Sequence, residues 1–142
     1  MFIGIFLTML PALDLLQSGD LLHLDTPLQF YFASGSLSAF LDNAPTYLAF
    51  LASEMGNYHL DVGNPEHVRQ FVNLHAPHLI AVSLGAVFFG AGSYIGNGPN
   101  FMVKAIADKS KVNTPDFLRY MWQFSIPILL PILVVVGWLM VK

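Results

Sequence analysis

Two short polar runs interrupt otherwise apolar sequence, and they share one pattern. Asp42-Asn43-Ala44-Pro45-Thr46-Tyr47 and Gly96-Asn97-Gly98-Pro99-Asn100-Phe101 each read Asn, small residue, Pro, polar residue, aromatic. Proline has no amide hydrogen and suits the first turn of a helix, so Pro45 and Pro99 are expected to start half-helices. Asn43 and Asn97 stand just upstream, where a side chain can cap the turn. The amino ends of two half-helices carry partial positive charge, a setting for an anion. The helices before them end in carbonyls without intrahelical donors, which suit a hard cation such as sodium. Gly90, Gly92, Gly96 and Gly98 let the backbone leave helical angles and approach an ion closely. Asp42 is an acid within an apolar segment, where a carboxylate is expensive and functional by default. Ionised, it would balance a bound cation; protonated, it would carry a proton. Exchange of the two at one carboxyl is antiport chemistry.

Single runs of this kind are ordinary turn starters. The pairing and the apolar flanks favour a site made of broken helices, because open backbone inside a bilayer survives only where protein buries it or water reaches it. Ser93, beside the glycine-rich run, is a further candidate ligand. Ser34, Ser36 and Ser38 fit close helix packing better than a pathway. His67, His75 and His78 have no nearby acid to complete a metal set and read as solvated loop histidines, with Glu54 an interface charge.

The elements that must hold these runs belong to a membrane protein. Of 142 residues, 55% are hydrophobic and only 11% charged, with a mean hydropathy of +0.60; a soluble domain carries roughly 25% charged residues. The net charge of -3 and the lack of a basic aromatic patch exclude nucleic acid as a partner. Cysteine is absent, and there is no Gly-x-Ser-x-Gly, phosphate loop or His-Glu-x-x-His, so neither an enzyme nor a bound cofactor is expected, sodium as a transported or coupling ion apart.

The chain reads as one transmembrane domain over 1–142. Residues 1–17 are expected to form an apolar helix of about 24 Å, shorter than the ~30 Å hydrocarbon core. With no basic residue ahead of Phe2, this start reads as a C-terminal piece of a larger transporter. Residues 28–53 hold two arms of about 21 and 14 Å. They either join as one broken span or fold back as a re-entrant hairpin with residues 42–46 at its tip. Residues 54–78 form a polar connection with a short amphipathic surface helix from Pro65 to Leu74. Residues 79–108 form the second broken segment. Residues 118–141 form a spanning helix of about 36 Å. Lys104, Lys109, Lys111 and Arg119 place the loop before that helix in the cytoplasm.

The run from Ser34 to Leu48 and the run from Gly90 to Ala105 together resemble the C-terminal hairpin and the following unwound helix of the ion transporter superfamily. The likeness is to its citrate transport and sodium:proton antiporter branch. The resemblance implies an all-α integral membrane fold, one inverted-repeat half of a secondary transporter, and favours the re-entrant choice for 28–53. It assigns a hairpin-tip role to Asp42, Asn43 and Thr46, and a loop role to Ser93, Gly96, Asn97 and Asn100. Asp42, Asn43 and Asn97 are then candidate sodium ligands. The favoured activity is sodium:proton antiport with Asp42 as the exchanging carboxylate. The alternatives are sodium- or proton-coupled transport of citrate or a similar carboxylate, and a non-transporting membrane subunit or remnant. The expected partners are the lipid bilayer and either an N-terminal half or a second copy of the chain. The expected location is the cell membrane, as a multi-pass protein of a prokaryotic inner membrane.

Overall fold

A computed structural model describes residues 24–141; the apolar helix expected over 1–17 lies outside them. Every regular element among the described residues is helical.

Helix α1 (Pro27–Ser38) starts at a reciprocal cap. Thr26 accepts from the Gln29 amide while the Gln29 side chain accepts from the Thr26 amide, with Pro27 leading the first turn. A turn at 39–42 leads into α2 (Asn43–Asn57), capped by Asp42. Helix α3 (Pro65–Leu74) starts at Asn64, whose side chain accepts from the Glu66 amide. Helix α4 (Ala76–Phe88) follows after a single joint residue, His75. The axis turns by 98° between Pro65–Leu74 and Ala76–Gly92. Pro77, in the first turn of α4, lacks the amide that would have continued the α3 ladder.

A tight 3-10 turn over Phe89–Gly92 ends α4. Irregular chain runs to Asn97, and α5 (Gly98–Lys109) follows. The last helix, α6, runs Phe117–Met140 and is the one described helix long and apolar enough by itself to cross a bilayer. Its middle, Met121–Leu129, is wound in the wider π form and contains Pro127. Proline there removes one α-type hydrogen bond and crowds the preceding turn, which the wider winding relieves.

Helices α1 and α4 are in close contact because small residues line the seam. Tyr31, Ser34, Gly35 and Ser38 are the buried side of α1 together with Phe30. A Cβ on Gly35 would lie 2.5 Å from the Phe89 ring, and one on Gly85 would collide with the Ser34 hydroxyl and the Tyr31 carbonyl. The small-residue reading therefore holds for Ser34 and Ser38. Helix α6 joins through Tyr31, whose hydroxyl donates to the Leu133 carbonyl at 2.9 Å. Tyr31, Ala81, Phe89 and Leu133 form the core of that junction. A second cluster, Leu51, Met55 and Phe71, packs α3 against α2.

Candidate transport site

The helix ends at both polar runs, and the two interruptions touch. The Ser93 hydroxyl donates to the Ala39 carbonyl at 2.5 Å and accepts from the Gly96 amide at 3.0 Å. It thus holds its own loop in shape and ties it to the turn after α1. Ser38, the last residue of α1, donates to the Ala86 carbonyl of α4 at 2.5 Å. With its amide nitrogen turned toward the acceptors, Asn43 donates to the Gly96 carbonyl at 3.0 Å, to the Ser38 hydroxyl at 2.8 Å and to the Ala86 carbonyl at 3.1 Å. That orientation is the one in which each contact joins a donor to an acceptor.

Glycine makes this approach possible. A Cβ on Gly96 would stand 2.5 Å from the Ser38 carbonyl oxygen and 2.8 Å from that of Ala39. One on Gly90 would overlap the Asn43 side chain. Gly98 differs: a Cβ there meets nothing within 4 Å.

Asp42 is exposed, and its carboxylate accepts from the Asn43 amide at 2.8 Å as the cap of α2. The expectation of an acid buried within an apolar segment is not met at this residue. Thr46 is buried, but its hydroxyl is spent inside α2 on the Asp42 carbonyl at 3.0 Å. Asn43 opens α2 from within its first turn and leaves the capping to Asp42. Asn97 occupies the cap position of α5 without making a capping bond. Asn100 lines a separate cavity of about 560 Å³ with Tyr94, Lys104, Thr114, Tyr120 and Phe124. There Lys104 is bonded to the Asp108 carboxylate at 2.6 and 2.7 Å and lies over the Tyr94 ring.

The carbonyls that the breaks release are covered by side chains. Tyr120 donates to Ala91 at 3.3 Å and Ser125 to Gly92 at 2.5 Å, both from α6. Sequence reasoning missed these two, because donors two dozen residues and more away in sequence leave no local signal. It also missed Glu54, read as an interface charge. Glu54 is fully buried.

One comparison bears on identity. A family model described as "Putative citrate transport" matches residues 1–141. The chain belongs to that family. The citrate transport family is one of transporters and not of enzymes, and its members work in membranes, so this chain is a membrane-transport protein. No curated protein and no solved structure gives a significant match.

Proposed function

We propose that the chain takes part in sodium- or proton-coupled transport of a small carboxylate such as citrate, with the guest held where the two breaks touch. The observation that carries this reading is the contact itself: Asn43, Ser93 and Gly96 bring the amino ends of α2 and α5 close to carbonyls that belong to no helix. The two amino ends differ in charge. Asp42 already places a carboxylate on α2, so a cation is the better guest there, and the Ala39 and Gly96 carbonyls keep a second lone pair for it. Asn97 makes no capping bond, so the first-turn amides of α5 remain available to an oxyanion. The family's description supports the carboxylate.

A second reading is sodium:proton antiport at Asp42, favoured by an acid that caps α2 one residue before Asn43, whose side chain meets the Gly96 carbonyl. In either reading the protein crosses the cell membrane several times. A second repeat, on an N-terminal half or a second copy, completes the transport unit. Phe101, Met102, Val103 and Ile106 give α5 an exposed apolar surface for lipid or for that repeat.

The test is uptake of labelled citrate into vesicles under a sodium gradient and, separately, under a pH gradient. Coupled carboxylate transport requires that one gradient accelerates uptake; uptake indifferent to both overturns it. Sodium-driven proton movement without any carboxylate supports antiport instead. Normal exchange by Asp42→Asn removes Asp42 from that mechanism.

A further inference from the structure

Glu54 has no part in the contact between the breaks, yet among the described residues it is the acid that the fold buries. It stands just past the apolar stretch, where α2 meets the polar connection over 54–78. Its side chain has no exposed surface, and among the described residues no hydrogen-bond donor reaches either carboxyl oxygen. Nε2 of His78 lies 3.7 Å from Oε1. An ionised carboxylate left so would forfeit its hydration without replacement, a cost of several kcal/mol or more.

The groups around it are few and protonatable. From α4 comes His78; from the joint between α3 and α4, His75; from the end of α2, Tyr58. Tyr58 stacks on His75 with ring centroids 3.7 Å apart, and both rings lie 6.1 Å from His78. From α1, Phe30 meets His78 edge-on, and the Asp25 backbone also acts on that ring as a hydrogen-bond partner. No lysine or arginine appears among these partners. His78 keeps 16% of its side chain exposed, so the imidazole touches water where the acid does not.

We propose that Glu54 and His78 together form a proton-binding site, separate from the contact between the breaks, at the aqueous end of α2. One proton is held by the pair. It sits either on the carboxyl, with a neutral imidazole, or on the imidazole, facing a carboxylate. The two arrangements interconvert by transfer between an oxygen and Nε2, and His78 passes the proton to and from water. Burial pushes the Glu54 carboxyl up to about 8, which agrees with a group that carries its proton at neutral pH and releases it in mild alkali. This site stands whether the transported guest is a carboxylate or sodium.

Infrared difference spectroscopy of the full chain in lipid vesicles, titrated through pH 6 to 10, tests the proposal (the range brackets the stated midpoint of about 8). The expected result is a carboxylic-acid carbonyl band that disappears as the pH rises through about 8 and is absent in Glu54→Gln. In His78→Phe the ionised carboxyl loses the imidazole that can face it as a cation, and the midpoint should rise by about one pH unit or more. Glu54→Asp, which keeps the acid, should keep the band at a displaced frequency; it serves if Glu54→Gln does not accumulate. An unchanged band in both Glu54 variants, or a midpoint that His78→Phe leaves in place, overturns the proposal.

Discussion

Replacing Gly96 by alanine tests the contact between the breaks where it is tightest. The added Cβ would sit 2.5 Å from the Ser38 carbonyl oxygen, 2.8 Å from the Ala39 carbonyl oxygen and 2.9 Å from the Ala39 carbonyl carbon. These are backbone atoms at the end of α1, and no side-chain rotation relieves them. To move from 2.5 Å to ordinary contact at 3.4 Å the loop must withdraw by nearly an ångström, which lengthens the Asn43 bond to Gly96 and the Ser93 bond to Ala39. Overpacking of this kind costs about 1–3 kcal/mol, and a difference of that size displaces an equilibrium by roughly 5- to 150-fold. The matched control is Gly98→Ala, where nothing lies within 4 Å and the alanine favours the α5 helix by up to about 1 kcal/mol. Thermal unfolding in detergent and citrate uptake in vesicles are the assays. Gly96→Ala should lower Tm and uptake together, while Gly98→Ala leaves Tm equal or higher. Equal behaviour of the two variants would refute the reasoning, since only one of them meets a wall of backbone.

Asn43→Ala should destabilise by about 1–3 kcal/mol, because the Gly96 and Ala86 carbonyls lose the amide that reaches both; chemical denaturation would measure it. Asn43→Asp should do no better, since an ionised carboxylate offers these carbonyls no donor. Tyr31→Phe removes the hydroxyl that donates to Leu133 and should cost about 1 kcal/mol in the same assay, with uptake retained. Ser125→Ala uncovers the Gly92 carbonyl and should speed amide exchange in the π-wound part of α6 while costing about 1 kcal/mol or less. Glu54 imposes a pH dependence of definite sign. Its carboxyl is raised from 4.5 to about 8, so its contribution to stability is complete below the lower value and is lost as pH rises through the upper one. Glu54→Gln should flatten that decline.

The helical class and the positions of the interruptions were legible because they rest on local chemistry. Apolar runs set the helices, and Pro27, Pro65 and Pro99 each stand in a first turn. The Asn–Pro pairs and the Gly-rich run mark where helical winding stops. What local chemistry does not carry is the far partner. Nothing near Asn43 announces the Gly96 and Ala86 carbonyls, and nothing near Gly92 announces Ser125. Burial was the other blind point. Asp42 sits amid apolar sequence yet emerges at a turn, because a cap must stand outside its helix. Glu54 sits amid polar sequence yet is enclosed, because α3 folds back at the His75 joint and lays Phe71 against Leu51 and Met55. Flanking hydropathy reported the neighbours along the chain, while exposure was decided by neighbours in space.

The chain holds no cysteine, which makes one cross-link decisive. A Cβ on Gly92 would stand 3.4 Å from the Cβ of Ala39, at the short edge of the ~3.5–4.5 Å span that a disulfide bridges. The double variant Ala39→Cys with Gly92→Cys should oxidise to an intramolecular disulfide in lipid vesicles, while Ala39→Cys with Gly98→Cys stays reduced. If the first pair stays open to a thiol reagent, or if both pairs link equally, the two breaks do not stand together in the membrane.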